Sequence, residues 1–314
     1  MFRFMLQAYR FGIKHKLIKK REYIDSVISK TFYGTPVVGS TIGNDLCRTF
    51  LESDQPCMLA RIGTIEMGAV MAYMDKKEGL LKQIGEQRIY KLCNNAGFFP
   101  KQESAAEKFA QLYIDCAKEL DLFGVFGEHN EDLFLKRYAP QAKLTQISYL
   151  GPYYFDEPWS KALKGKKILV VHPFENTIKI QYSNRANLFD NPDVLPEFAE
   201  LNIIKAIQTV ADNTEGFPNW FDALEHMKKK IAKVDFDIAI IGCGAYGFPL
   251  AAYVKSLGKK SVLTAGSTQL LFGIKGARWD NTPLTSKYYR DSWVRPSQDE
   301  VPKQANKVES GCYW

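Results

Sequence analysis

Apolar and polar positions along this chain fall into two periods, and their alternation predicts its elements. Short apolar runs bounded by turn residues read as strands buried on both faces. They fall at Cys57–Ile62, Leu122–Phe126, Leu144–Tyr149, Ile168–Val171, Ile203–Thr209, Ile238–Ile241 and Ser261–Ala265. Between them apolar residues recur at helical spacing over Asn44–Leu51, Thr64–Met74, Gln83–Cys93, Ser104–Glu119, Asn176–Asn187, Trp220–Val234 and Phe248–Leu257. In Thr64–Met74, for example, the buried face is expected to be Ile65, Met67, Val70, Met71 and Met74. Strands alternating with helices predict an α/β fold, a Rossmann-like and mainly parallel sheet with helices on both faces. From Pro283 onward periodicity fades while Tyr288, Tyr289, Trp293, Pro296 and Pro302 accumulate, as expected of an extended tail laid over the body. The expected division is a basic amphipathic helical arm over residues 1–33, an α/β domain over 34–284 and the tail over 285–314.

Composition narrows the class. The chain has 314 residues, 46% hydrophobic and 25% charged, the balance of a globular protein with a sizeable core. Six cysteines (Cys47, Cys57, Cys93, Cys116, Cys243, Cys312) include no C-x-x-C pair and lie mostly in apolar runs. They read as small core residues of a chain in a reducing, cytoplasmic compartment. The four histidines, His15, His129, His172 and His226, show no zinc spacing.

Charge changes the picture further. Residues 1–21 hold seven Lys or Arg (Arg3, Arg10, Lys14, Lys16, Lys19, Lys20, Arg21) and no acid, and the rest of the chain is formally neutral. A neutral body lacks the basic footprint of nucleic-acid binding. The arm also carries Phe2, Phe4, Leu6, Tyr9 and Phe11, but no unbroken apolar core or small-residue cleavage site of a signal peptide. A basic, aromatic-bearing helix suits the interface of an anionic membrane, here the inner face of the cell membrane. A surface helix packed on the body is the other reading.

In open α/β sheets ligands bind outside the carboxyl ends of the strands, so the residues after each strand are candidates for chemistry. The run Ile238–Ile241 leads into Gly242-x-Gly244-x-x-Gly247, with Tyr246 inside it, and then into an apolar helical segment. The first glycine permits a tight turn, the second lets backbone approach a phosphate, and the third lets helix pack on strand. The helix N-terminus then offers a positive dipole end to an anion. A dinucleotide would require an Asp or Glu about 20 residues on, to hold the ribose. Here the second strand ends in Thr264-Ala265-Gly266-Ser267-Thr268-Gln269, with no carboxylate. The motif therefore points to another phosphorylated ligand, or to a turn that only packs helix on strand.

Two further strand ends are unusually polar. In Arg61-Ile62-Gly63-Thr64-Ile65-Glu66, Arg61 can clamp a phosphate and Glu66 can act as a base or cation ligand. The alternative for Glu66 is a helix first-turn acid favoured by the dipole. In His172-Pro173-Phe174-Glu175-Asn176, His172 closes an apolar strand, with Glu175 beside it and Arg185 beyond. It reads as an acid–base group or as a structural histidine. Behind the glycine turn come Ser267 and Gln269, then Gly273–Asp280 with Lys275, Arg278 and a base-stacking aromatic, Trp279; a solvated basic loop is the other reading.

The strings ARIGTIE (Ala60–Glu66), KGKKILVVHPFENTIKIQYSNR (Lys164–Arg185), IIGCGAYGFPLA (Ile240–Ala251), LLFGIKGARWDN (Leu270–Asn281) and VESGCYW (Val308–Trp314) together resemble a bacterial glycosyltransferase family of the GT-D fold. That family serves polysaccharide, capsule and surface-glycan synthesis. The resemblance spans most of residues 35–314 and leaves out the arm. It implies transfer of a sugar from a nucleotide sugar, a UDP-sugar first, to a glycan or lipid-linked acceptor. It also implies donor binding at Arg61, Gly63, Gly242–Gly247 and the Lys275/Arg278 loop, with Glu66 or His172 as base. In the family a D-x-E motif ties the donor to Mn²⁺ or Mg²⁺; here Thr64-Ile65-Glu66 stands in its place and only Glu66 carries over. A hydroxyl is a poor ligand for a hard cation, so Arg61, Lys275 or Arg278 can neutralise the diphosphate instead. Two other classes fit the same fold: a nucleotide-dependent oxidoreductase or methyltransferase, and a non-catalytic scaffold of a glycan-assembly complex, which the Thr64 departure favours.

Overall fold

In chain order the elements are β1 (Ser29–Lys30), β2 (Pro36–Val37), α1 (Ser40–Glu52), β3 (Cys57–Ala60), α2 (Thr64–Lys77), α3 (Glu86–Ala96), α4 (Glu103–Cys116), β4 (Leu122–Val125), α5 (Glu131–Tyr138), β5 (Lys143–Gln146) and β6 (Lys167–His172). There follow α6 (Glu175–Ser183), β7 (Glu200–Lys205), α7 (Trp220–Ile231), β8 (Ile238–Ile241), α8 (Gly247–Ser256), β9 (Lys260–Leu263), α9 (Ser267–Leu271), α10 (Ala277–Asp280) and α11 (Pro283–Ser286). The structure, a computed structural model, describes residues 36–127, 131–211 and 213–314, and the backbone of 29–30. The basic segment 1–21, and with it the expected membrane docking, lies outside the described residues.

Seven strands pair in the order β5-β4-β3-β9-β8-β6-β7, and every pairing is parallel. The fold is thus α/β and Rossmann-like. Its register follows from period-2 alternation. Leu169 and Val171 of β6, Ala239 and Ile241 of β8, and Met58 and Ala60 of β3 enter one core. Ile168 and Val170, Ile238 and Ile240, and Cys57 and Leu59 enter the other. Each fully buried aliphatic side chain contributes about 1.5–3 kcal/mol relative to exposure, so these strands form a stiff platform. Side chains of α2, α3, α4, α7 and α8 cover the first face. The second face is covered more irregularly, by α1, α6, α9 and short turns that bring in Trp159 and Trp293.

Helix α7 shows the local logic. Asn219 accepts a hydrogen bond from Asp222 N at 3.0 Å as N-cap, and Lys228–Lys230 fill the last turn, opposite the dipole. Trp220, Ala223, Leu224, Met227 and Ile231 form its buried stripe. The Trp220 ring stacks on Tyr246 of the glycine turn at 4.9 Å.

Several predicted boundaries move. The strand expected to run to Tyr149 leaves the sheet after Gln146, where a 3-10 turn begins. The strand expected at Ile203–Thr209 instead pairs from Glu200, opposite Lys167, and ends at Lys205, which frees Ile207–Val210 for the end of the sheet. The helix from Asn176 stops at Ser183. Helix α5 is an element the periodicity did not single out: its buried residues Glu131–Leu135 include two acids, which hid its apolar face.

Residues 285–314 form a chain of turns and 3-10 pieces packed on the body. Glu300, 3% exposed, caps α6 by accepting from Asn176 N at 2.6 Å and Thr177 N at 3.2 Å. The Trp293 indole donates to Leu188 O at 2.9 Å. Among the described residues no helix is long and apolar enough to cross a membrane.

Candidate functional site

The chain leaves β6 toward β7 and leaves β8 toward β9, in opposite directions, so the strand order reverses between β6 and β8. A crevice outside the carboxyl ends at such a reversal is where ligands bind in open parallel sheets. A cavity of about 430 Å³ lies there, within the range of small-molecule sites. Residues following β3, β4, β6, β7, β8 and β9 all reach it, and the segment Val308–Trp314 forms one wall.

At the end of β3, Arg61 and Glu66 face the cavity. Gly63 is the N-cap of α2, and a Cβ there would fall inside the Glu66 carboxylate. Glu66 therefore folds back over its own helix start. Burial pushes its carboxyl above the usual range, the Arg61 guanidinium opposes this, and Glu309 adds to the rise. Arg61 has no ion-pair partner among the described residues; its guanidinium lies 6.0 Å from the ring of Phe126, a half-exposed side chain on the rim.

At the end of β6, His172 is 4% exposed. Burial alone lowers its pKa to about 3, so the imidazole is neutral. Phe174 N donates to Nδ1 at 3.1 Å, which places the proton on Nε2. His172 can thus donate a hydrogen bond into the cavity, but its free lone pair is already engaged. This geometry does not suit the role of base expected of it.

At the end of β8 the three glycines have separate tasks. A Cβ at Gly242 would collide with Thr268 Oγ1 and come within 2.7 Å of Ala265 O and 2.8 Å of His172 Cδ2. Gly244 has φ +57°, a conformation other residues adopt at a cost. Gly247 lets α8 pack on Leu263 of β9, as its place in the motif predicts. Tyr113 supports the turn from below by donating to Ala245 O at 2.6 Å. Tyr246 borders the cavity, yet its ring is 2% exposed and its hydroxyl pairs with Thr209 Oγ1 at 2.7 Å. It acts as floor, with its phenol held above the usual range by burial.

The loop residues divide. Arg278 reaches the cavity, but it is ion-paired with Glu309 and lies 4.6 Å from the centre of the Tyr313 ring. Gln269 is buried, and its Nε2 donates to Tyr313 O at 3.2 Å and Lys275 O at 3.3 Å, tying the last residues to the loop. Lys275 does not line the cavity; its ammonium sits 5.5 Å from the Tyr289 ring. Arg185 is also outside, paired with Glu197 and packed on Tyr182. Glu175, Ser267 and Gly247 do not line it either. Trp279 packs behind Tyr313, at 6.1 Å between ring centres, instead of facing the cavity.

Sequence reasoning missed the wall formed by Glu309, Tyr313 and Trp314 and the loop Ile207–Val210. Three of the non-glycine residues with positive φ, Ala265, Glu309 and Ser310, lie in or beside this site, where backbone strain tends to collect. Among the described residues, the side-chain carboxylates on the cavity are Glu66 and the ion-paired Glu309, and no group of three His, Cys, Asp or Glu could share a metal ion. The donors among the described residues do not make a protein cage for Mn²⁺ or Mg²⁺. Comparison with protein-family models, with curated proteins and with solved structures gives no match.

Proposed function

We propose that this chain is a glycosyltransferase of the GT-D kind, moving a sugar from a nucleoside-diphosphate donor to a glycan acceptor. The observation that carries this reading is the meeting, in one cavity, of Arg61, which has no ion-pair partner among the described residues, the Glu66 carboxylate and the glycine turn of β8. The donor diphosphate lies against Arg61 and the Gly242–Gly244 turn that leads into α8, where positive charge and the helix dipole favour an anion. The acceptor hydroxyl oxygen attacks the anomeric carbon, the carbon–oxygen bond to the diphosphate breaks, and the nucleoside diphosphate leaves. Glu66, whose carboxyl burial makes more basic, takes the hydroxyl proton. His172 Nε2–H donates to an oxygen of the reacting pair, and Arg61 stabilises charge developing on the leaving group.

Support against a dinucleotide enzyme comes from β9, whose carboxyl end carries Thr264, Ala265 and Gly266 and no acid. Thermal shift with UDP, GDP, CDP and TDP against NAD and S-adenosylmethionine tests the reading. A ligand at a hundredfold excess over its Kd stabilises the fold by about 2.7 kcal/mol. Stabilisation by at least one nucleoside diphosphate is expected. A response to NAD or S-adenosylmethionine alone would move the chain to the oxidoreductases or methyltransferases, and no response to any would favour a scaffold.

A further inference from the structure

In sheets of this type a nucleotide bound at the glycine turn extends its nucleoside over the carboxyl end of the next strand, where an acid usually holds the ribose. In this chain that strand is β9, and the place is shaped for something else. Gly266 follows directly, and a Cβ there would lie 3.1 Å from Trp279 Cζ2 and 3.4 Å from Tyr313 Cε1. The missing side chain is what lets Trp279 and Tyr313 close over the strand end. Tyr313 and Trp314 then meet at 85° with ring centres 6.0 Å apart, both half-buried and both on the cavity wall. Arg278 approaches the Tyr313 ring, and Ala277 N and Arg278 N hold the backbone through Trp314 O and Cys312 O at 3.3 and 2.8 Å. The Trp314 indole N–H is buried with no acceptor among the described residues, a cost that an acceptor on a ligand would remove.

We propose that the Tyr313–Trp314 corner is the seat of the donor's nucleobase, with the base stacked on one ring and edged by the other. It replaces the ribose-binding acid and recognises the nucleoside by its aromatic face. This rests on the donor being a nucleoside diphosphate, as proposed above.

The test is calorimetric binding of UDP, GDP, CDP and TDP, and separately of inorganic pyrophosphate and glucose 1-phosphate, to the full chain and to Tyr313→Leu, Trp314→Leu and Trp314→Phe. Stacking on an aromatic is worth enough that its loss should weaken the best nucleoside diphosphate about tenfold or more in both Leu variants. Pyrophosphate should stay within about twofold, which also reports that the phosphate site is intact, and Trp314→Phe, which keeps a ring but loses the indole N–H, should fall less than Trp314→Leu. Unchanged nucleotide affinity in the Leu variants would overturn the proposal. So would an equal fall for pyrophosphate, since the corner would then only prop the phosphate site. A fall confined to glucose 1-phosphate would make it a sugar seat and overturn the proposal too. If the unaltered chain binds pyrophosphate but none of the nucleotides, the nucleobase seat fails while the phosphate site stands; if it binds neither, the transferase reading fails first.

Discussion

Two strand-to-helix turns meet at this cavity, and they use their helix starts in opposite ways. After β3, the first turn of α2 carries its own acid, Glu66, folded back over Gly63. After β8, the first turn of α8 has no acidic residue and no side-chain cap. The positive end of α2 is occupied by the chain itself, whereas that of α8 is left to another anion. Chemistry follows from the contrast. Charge at the β3 turn is arranged as an acid beside an arginine, suited to moving a proton and steadying a leaving group. The β8 turn offers backbone alone, suited to holding a phosphate that does not itself react.

The largest effect should separate the two roles. Glu66→Gln keeps size and packing but removes the base, so turnover should fall about a hundredfold, roughly 2.7 kcal/mol of transition-state stabilisation. Nucleoside diphosphate affinity should stay within about threefold, because the diphosphate is held by Arg61 and the β8 turn and not by the Glu66 carboxylate. A steep loss of affinity with little loss of turnover would reverse the assignment. Stability checks the same carboxyl. Its pKa is raised from 4.5 in the folded chain, so above that ordinary value the folded state holds the extra proton. Native stability should therefore fall as pH rises through that window, and the Gln variant should lack this fall, as melting curves against pH would show. EDTA should leave nucleotide binding unchanged, because the described residues of the site offer no protein cage for a cation.

Next in size is the contrast between the glycines. At Gly242 an added methyl meets backbone at Ala265 O and the ring of His172. Gly242→Ala should cost about 1–3 kcal/mol in urea denaturation, the scale of overpacking. At Gly63 the methyl meets only the end of the flexible Glu66 side chain. Gly63→Ala should cost under about 1 kcal/mol, yet turnover should fall nearly as far as in Glu66→Gln, because the carboxylate must swing away. Equal stability losses at the two sites would mean that Glu66 is locked as a structural cap.

His172 gives a smaller effect, one that depends on pH. Its imidazole is held to about 3 against an ordinary 6.5. Between those values the unfolded chain binds a proton that the folded chain refuses, so stability should drop as pH falls through that window. The slope should approach about 1.4 kcal/mol per pH unit in its middle, and His172→Gln should remove that part of the acid sensitivity. A native curve parallel to the variant's would mean that the folded imidazole can charge, which would restore His172 as a base.

The strands were legible because β3, β6, β8 and β9 are short, nearly unbroken apolar runs, the mark of strands buried on both faces of a parallel sheet. Arg61, Glu66, His172 and the glycine turn were legible because each lies at the carboxyl end of such a strand or in the turn and first helical turn after it. Lys275 and Arg185 looked equivalent in the sequence, but their cationic heads turn to Tyr289 and to Glu197, contacts that depend on tertiary packing. The Tyr313–Trp314 wall was illegible for the opposite reason. Nothing periodic marks the residues after Pro283, and their place is set by distant anchors such as Glu300 on α6 and Gln269 on Tyr313 O. The aromatic pair in Gly311–Trp314 was the one local signal.

At Gly244 a small effect on stability decides most about the β8 turn. Its φ of +57° is in the left-handed region, and the nearest atom to an added Cβ is Ala96 O at 3.6 Å. Space is therefore available and only conformation resists. Gly244→Ala should lose about 1 kcal/mol, the left-handed cost less the entropy that glycine gives up on folding. If the glycine serves only the turn, pyrophosphate affinity should be unchanged once the variant is folded. If it serves close approach of a phosphate, as the contrast with α2 requires, affinity should drop by about tenfold or more at Ala, and Gly244→Val should abolish the thermal response to every nucleoside diphosphate. Affinity that survives both substitutions would leave the start of α8 without a ligand, and the anion would then have to be held by Arg61 alone.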